Sequence, residues 1–229
     1  MKLCVVPARG GSKRIPRKNI KDFHGKPIIQ YSIEAALESN VFDKVIVSTD
    51  DEEISNIAKT VGAEVPFIRP KNLADDFTAT IPVISHAICE MEKKGFDYKE
   101  ICCVYATAPF LRGSYIRHGA DIISKNNLDY VFSSTTYPHP IERSFTLNRE
   151  GAVTPFMPES ENIRSQDLVE KHHDAGQFYW GSRNAWMTEK KIFSPRSRAI
   201  PLPNYLVQDI DTNEDWLRAE LMWLALNQS

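Results

Sequence analysis

Short β-branched apolar runs alternate along the chain with stretches whose apolar residues recur every three or four positions. Residues 3–6, 44–49 and 100–106 read as buried strands, and 130–136 alternates into another. Between them, Ile28, Ile29, Ser32, Ile33, Ala36 and Leu37 share one helical face, with Pro27 near the first turn. Helical spacing returns through Ile54, Ile57, Ala58 and Val61, then over 81–91 and 114–125, with Thr78 or Thr80 as a candidate cap. A short strand is expected at 64–68. This rhythm predicts an α/β fold: a Rossmann-like, doubly wound, mostly parallel sheet.

The pattern breaks over 137–171, where Pro138, Pro140, Pro155 and Pro158 stand among polar residues without sustained periodicity. The segment is too long for an ordinary connector in a compact domain. It resumes with a strand at 175–180, where Gln177 and Tyr179 share one face and Phe178 and Trp180 the other. Residues 207–211 read as a strand end, Thr212 or Asn213 as the cap of a C-terminal helix, and Leu217, Leu221, Trp223 and Leu224 as the face that packs it on the sheet.

Composition narrows the field. A chain of 229 residues, 42% hydrophobic, supports one core. A net charge of -2 argues against a nucleic-acid surface. Cys4, Cys89, Cys102 and Cys103 sit in apolar contexts without C-x-x-C spacing, which favours reduced thiols and a cytoplasmic setting. No run approaches the ~18 apolar residues of a membrane helix, and the first apolar stretch stops at Arg9, so neither a membrane nor a signal peptide is expected.

Chemistry concentrates where the first strand ends. Pro7 closes its ladder, Gly10 and Gly11 allow backbone amides to turn inward as an anion nest, and Arg9, Lys13, Arg14, Arg17 and Lys18 follow within ten residues. That density suits a triphosphate, at the strand end where open parallel sheets bind ligands. Neither G-x-x-x-x-G-K-[ST] nor G-x-G-x-x-G is present, so the loop belongs to another nucleotide class.

Pro7-Ala8-Arg9-Gly10-Gly11-Ser12-Lys13, followed by Ile15-Pro16 and Lys18-Asn19, resembles the N-terminal signature of the CMP-sialic acid synthetase family, cytidylyltransferases that activate nine-carbon acidic sugars. The resemblance implies that Ala8, Arg9, Gly10, Gly11, Ser12 and Lys18 hold the CTP phosphates and that Asn19 lies against the cytosine end. Arg69-Pro70 through Leu73-Ala74-Asp75-Asp76 resembles the family segment that approaches the nucleoside, which adds Arg69 and Thr80, with Asp75 and Asp76 capping or orienting the loop. The segment Tyr105-Ala106-Thr107-Ala108-Pro109 corresponds to one that touches the sugar, but Tyr105 replaces a glutamine and Ala108 a serine. Tyrosine offers one hydroxyl and a large apolar face, so either the substrate presents different groups or Tyr105 packs in the core.

The resemblance also implies that 137–172 is a dimerisation arm protruding from a nucleotide domain made of 1–136 and 173–229, and hence a homodimer. Arg164 and Gln166 resemble the family's Arg-x-Gln pair, and Asp174-Ala175-Gly176-Gln177-Phe178-Tyr179-Trp180 looks like its pseudaminic acid branch. The sugar candidates are thus Tyr105, Thr107, Arg164, Gln166, Gln177, Phe178 and Tyr179. His172 and His173 are read as sugar contacts or surface residues, because neighbours on an extended chain point apart and no third metal ligand accompanies them. Asp209 and Asp211 point to one side of an extended segment and offer hard oxygens, and the family uses this Asp-x-Asp for Mg2+. Catalysis would rest on Arg9, Lys18 and Asp211, without an evident base. The implied reaction joins CTP to a nonulosonic acid. A glycosyltransferase and a non-catalytic nucleotide-binding subunit are the rivals from other classes, the first needing fewer cations and the second neither the loop nor the aspartate pair.

Overall fold

The computed structural model describes residues 1–227. In chain order the elements are β1 (Lys2–Pro7), the short pair β2 (Asp22–Phe23) and β3 (Lys26–Pro27), α1 (Ile28–Glu38), β4 (Lys44–Ser48), α2 (Glu52–Val61), α3 (Thr80–Lys93), β5 (Glu100–Val104), α4 (Gly113–Asn126) and β6 (Tyr130–Thr136). Then come β7 (Phe145–Leu147), β8 (Val153–Pro155), β9 (His172–Ser182), α5 (Arg183–Met187), β10 (Ser197–Pro201) and α6 (Asn213–Asn227). Six strands form one sheet in the order β10-β6-β9-β5-β1-β4. β1 is parallel to β4 and β5, and β10 is parallel to β6, whereas β9 runs antiparallel to both its neighbours.

Alternation along the strands divides the core. Cys4, Val6, Val45 and Val47 pack with Ile29, Ile33, Ile54, Ala58 and Ile116 of α1, α2 and α4. Leu3, Val5, Ile46 and Cys103 pack with Ile84, Ile88 and Met91 of α3 and with Trp186 of α5. Both sheet faces are therefore covered by helices, as apolar strands with no polar alternation require. All four cysteines are free, and burial pushes the thiols of Cys4, Cys102 and Cys103 up.

Several sequence expectations change. Instead of a strand at 64–68, only Glu64 bridges Ile46, and Pro66 removes the donor that would extend the ladder. Residues 207–211 form no strand: after a 3-10 turn at Asn204–Leu206 the chain is irregular, and the Ile210 carbonyl accepts from Lys18 Nζ at 2.5 Å. β10, which the sequence conceals because Ile200 is its one buried residue, pairs at the sheet edge. Thr212 does cap α6, its hydroxyl accepting from the Asp215 amide at 3.2 Å. Neither Thr78 nor Thr80 caps α3, whose first turn has no side-chain cap.

The 137–171 excursion leaves β6 and returns at β9, closed at its base by the Tyr137 amide donating to the Lys171 carbonyl at 3.1 Å. It carries the antiparallel hairpin β7–β8, whose turn is held by the Asn148 side chain accepting from the Glu150 and Ala152 amides. Phe145, Leu147, Val153 and Phe156 are exposed there.

Candidate active site

Pro7, Ser48 and Tyr105 lie level at the carboxyl ends of β1, β4 and β5, because β1 registers Pro7 with Ser48 and Val5 with Cys103. The loops leaving these three ends surround an open cleft of about 550 Å³. Arg9, Ser12, Lys13, Arg14, Lys18 and Asn19 line it from the first loop, Arg69, Asp76, Thr78 and Thr80 from the approach to α3, and Tyr105, Thr107 and Asp211 from the remaining wall. Nine of the expected site residues thus meet in one space: Arg9, Ser12, Lys18, Asn19, Arg69, Thr80, Tyr105, Thr107 and Asp211.

The cations that the first loop brings to the cleft are each held by a carboxylate. Asp76 accepts from Arg9 Nη1 at 2.6 Å on one oxygen and from Lys13 Nζ at 2.5 Å on the other. Asp211 Oδ1 lies 2.8 Å from Arg14 Nη2 and 3.3 Å from Lys18 Nζ. Arg17 does not join them. It adopts a left-handed backbone (φ 55°) and pairs with Asp51, the N-cap of α2, and with Glu53. That pairing holds the Asp51 carboxyl below the usual carboxylate range. Four of the five basic residues therefore serve the cleft, and the fifth anchors the loop to the next helix.

Gly10 and Gly11 differ from expectation. Neither has positive φ, so the nest geometry is not formed, and the Gly10 amide donates to Asp50 Oδ1 at 3.0 Å. Gly10 is required by closeness instead: a Cβ there would lie 2.6 Å from Asp51 Oδ2. Around Gly11 there is open space. Ala8 is buried, its amide bound to the Ser48 carbonyl at 2.9 Å, and Asn19 Nδ2 donates to the Arg9 carbonyl at 2.9 Å, fixing the loop's course.

Arg69 is buried, with Nε on the Ser48 hydroxyl at 3.1 Å and Nη2 on the Ser48 carbonyl. Burial lowers its guanidinium to about 10, so it stays charged at neutral pH. It stiffens the cleft floor at the end of β4 while presenting part of its surface to the cavity. Tyr105 meets the Thr80 hydroxyl at 2.9 Å, and burial pushes its phenol up to about 12. It also packs 5.2 Å, centroid to centroid, from Tyr179, so Tyr105 joins the core and lines the cleft at once.

β9 settles which of its faces is which. Phe178 and Trp180 are fully buried against α4, where a Cβ on Gly119 would sit 2.6 Å from the Trp180 indole. Phe178 is thus a core residue and not a sugar contact. The pairing with β6 shifts between Phe132 and Ser134, and the Ser133 hydroxyl accepts from the amides of both Gln177 (3.3 Å) and Phe178 (3.2 Å). Gly176, at φ 61°, makes this bulge possible, and Asp174 secures it by accepting from the Gly176 amide at 2.9 Å and from the Tyr179 hydroxyl at 2.5 Å. Gln177 is buried, its Nε2 on the Leu206 carbonyl at 2.5 Å and its Oε1 without a partner. Neither Gln177 nor Tyr179 lines the cavity itself.

Arg164 and Gln166 lie on the arm, exposed, with Arg164 paired to Asp167 at 2.7 Å; this chain does not bring them to the cleft. His172 and His173 are partly exposed at the arm's return, and the His173 ring sits against Tyr137.

Asp209 and Asp211 are the carboxylates that could hold a hard divalent cation; Asp211 lines the cleft and Asp209 does not. Asp209 is itself solvent-exposed, yet the protein around its carboxyl and then the Asp211 charge raise it above the usual range. Like charges crowded in this way are relieved by a cation between them. Among the described residues no group of three or more Cys, His, Asp or Glu side chains converges as a metal site. Two carboxylates, with water and phosphate oxygens completing the shell, match how Mg2+ is ordinarily held at nucleotide sites.

Sequence reasoning missed Asp50, Asp51 and Asp76 as partners of the phosphate loop. Their signal was an acidic pair at each of two loop starts, opposite a run of cations.

A family model described as cytidylyltransferase matches residues 3–219. A pseudaminic acid cytidylyltransferase of Campylobacter jejuni is 45% identical over 227 residues, spanning 99% of this chain and 98% of that one. A Helicobacter pylori protein that combines pseudaminic acid cytidylyltransferase with a UDP-sugar hydrolase is 40% identical over 209 residues, 91% of this chain and 40% of its own length. Among solved structures, a CMP:2-keto-3-deoxy-manno-octonic acid synthetase complexed with CTP superposes with a TM-score of 0.70 at 16% identity, covering 98% of this chain and 99% of that one, which shows a shared fold.

Proposed function

The chain belongs to the cytidylyltransferase family, and from that premise we propose that it transfers CMP from CTP to a nonulosonic acid, namely pseudaminic acid, releasing pyrophosphate. The observation that carries the reading is the meeting of Arg9, Lys13, Arg14 and Lys18 with Asp211 in one cleft at the ends of parallel strands. A triphosphate brings enough negative charge to take these cations from their carboxylates.

In the proposed reaction the sugar's anomeric hydroxyl oxygen bonds to the α-phosphorus, and the bond from that phosphorus to the bridging oxygen of the β-phosphate breaks. The hydroxyl proton passes to solvent. Arg9 and Lys18 neutralise charge that grows on the α-phosphate and on the departing pyrophosphate, which is positioning plus electrostatics with little covalent work for the protein. Asp209 and Asp211 would hold Mg2+, which when bound supplies further charge neutralisation at the phosphates. Tyr105 and Thr107, which line the cavity, are the wall available to the acceptor.

Pseudaminic acid is favoured by the two relatives named above and by the aromatic wall at Tyr105, backed by Tyr179. Pseudaminic acid ends in a methyl group where sialic acid carries a hydroxylated tail. A buried hydroxyl without a partner costs roughly 1 to 3 kcal/mol, or about ten- to over a hundredfold in specificity. Pyrophosphate release is measured with saturating CTP and a panel of pseudaminic, sialic and legionaminic acids. The expected order places pseudaminic acid first by at least about tenfold in kcat/KM. Equal values, or a preference for another sugar, would overturn the sugar assignment and leave the cytidylyl transfer standing. The arm at 137–171, with its exposed apolar hairpin, is proposed as the contact of a homodimer.

A further inference from the structure

We propose that Asp76 is a placeholder for phosphate: before nucleotide binds, its carboxylate positions Arg9 and Lys13, and it withdraws with its loop when the nucleotide's phosphates take those cations. This rests on the reading of the cleft as a triphosphate site.

The two Asp76 oxygens are divided between two cations, Oδ1 on Arg9 and Oδ2 on Lys13, as two oxygens of one phosphate would be. All three side chains line the same cavity, so the carboxylate lies in the space that a bound anion would need. Asp76 stands below the usual carboxylate range, held there first by Lys13 and then by Arg9, so it remains an anion throughout the neutral range. The neighbouring carboxylate behaves differently. Asp211 has its own amide bound to Asp215 at 3.2 Å, and its partner Lys18 is also tied to the Ile210 carbonyl, so that side of the cleft is fixed.

The Asp76 side is built to move. Asp75 makes the loop's local turn by accepting from the Phe77 and Thr78 amides and the Thr78 hydroxyl, contacts that travel with the loop. The next side chain, Phe77, is 93% exposed, so no apolar anchor holds the tip. What ties residue 76 to the first loop is charge, and a polyphosphate competes for that charge directly. Asp76 is thus a positioning residue: it keeps two like-charged side chains together until the phosphates arrive, and its own carboxylate opposes their binding.

The test is a binding series. Cytidine, CMP, CDP, CTP and inorganic tripolyphosphate are titrated calorimetrically into the full chain and into Asp76→Asn, with Mg2+ present. Cytidine should bind both alike. Each added phosphate should favour the variant more, reaching about two- to tenfold tighter CTP binding, as expected for removal of a partly exposed competing ion pair. Restoring the charge with Asp76→Glu should bring CTP affinity back toward the parent value. Unchanged or weaker CTP and tripolyphosphate binding by an Asp76→Asn protein that retains cytidine binding would overturn the proposal. Should the substitution disturb the loop and weaken cytidine as well, the decision passes to an environment-sensitive dye on Phe77→Cys with Asp76 intact. Its emission should change with tripolyphosphate and not with cytidine, and a silent dye at saturating tripolyphosphate would overturn the proposal. If the chain bound a triphosphate other than CTP, the proposed function would fail while the tripolyphosphate titration would still decide the role of Asp76.

Discussion

The cleft and the arm are both excursions from the same sheet, yet they treat their side chains in opposite ways. In the cleft every charged group that the phosphates would need is already paired: Arg9 and Lys13 with Asp76, Arg14 and Lys18 with Asp211. On the arm the polar backbone is satisfied by a hairpin and by Arg143, whose guanidinium serves the Glu161 and Ile163 carbonyls, while Phe145, Leu147, Val153 and Phe156 stand in water. One region pairs its charges within a single chain and is poised for exchange of one anion for another. The other buries its polar groups' needs and leaves its apolar area uncovered, the pattern of a surface that meets another protein.

The largest break in this contrast should come at Asp211. Asp211→Ala removes a proposed metal ligand and the carboxylate shared by Arg14 and Lys18, so turnover should fall about a hundredfold or more, equivalent to ~2.7 kcal/mol or more of barrier. The thermal midpoint should barely move, because the side chain is partly exposed and its pairs are screened. A folded variant with near-normal pyrophosphate release in Mg2+ would remove the aspartate from the chemistry.

The arm should respond in association instead of turnover chemistry. Phe145→Ser combined with Phe156→Ser should raise the dimer dissociation constant at least about tenfold, since truncating two aromatic side chains that the proposed interface covers commonly costs more than ~1 kcal/mol each. Sedimentation at micromolar protein checks this. A parent protein that is monomeric and fully active there would dissolve the contrast, leaving the arm as exposed surface without a function in assembly.

A subtler test concerns Asp209, whose carboxyl is raised by desolvation and then by Asp211. The folded chain holds this proton more tightly than the unfolded chain does. Stability from the site is therefore present below the ordinary carboxylate value of ~3.9 and is lost as pH climbs through the raised value. Asp209→Asn escapes that loss. With a chelator present, its thermal midpoint should gain on the parent as pH rises from 4 to 7.5 (about the span in which a carboxylate titrates). A gap that stays constant across this range would contradict the crowding of the two aspartates.

What the sequence revealed depended on whether a feature was local. The phosphate loop was legible because its cations and glycines are adjacent in the chain, and the parallel strands because β-branched runs need no context. The roles of Arg17 and Asp76 were hidden because each is defined by a partner 34 or more residues away. Phe178 was misassigned because alternation on β9 fixes which residues share a face but not which face meets α4; Gly119, which lets Trp180 approach, decides that. Of the face expected to pack in α6, Trp223 does pack, but Leu217, Leu221 and Leu224 are exposed. Trp216 and Ala219 are buried, Met222 and Trp223 pack beside them, and their partners are Phe23, Tyr31 and Phe110 from β2, α1 and the β5–α4 connection rather than the six-stranded sheet.

The smallest expected effect follows from that difference. Leu217, Leu221 and Leu224 repeat at helical spacing, which is why they read as a core face, yet Leu221 is 58% exposed while Trp216 is 4% exposed. Trp216 meets the Phe23 ring edge-on at 5.6 Å and carries the Lys21 ammonium 4.1 Å over its own ring, so it joins α6 to the loop that follows the phosphate-binding segment. Aromatic burial of this kind outweighs three leucines that find no facing element. Leu221→Ala should therefore change unfolding free energy in urea by no more than ~0.5 kcal/mol, whereas Trp216→Ala should cost about 3–5 kcal/mol. A loss above ~1 kcal/mol at Leu221 would mean that this stripe is covered in solution, and the uncovered apolar area would then extend from the arm to a second face of the molecule.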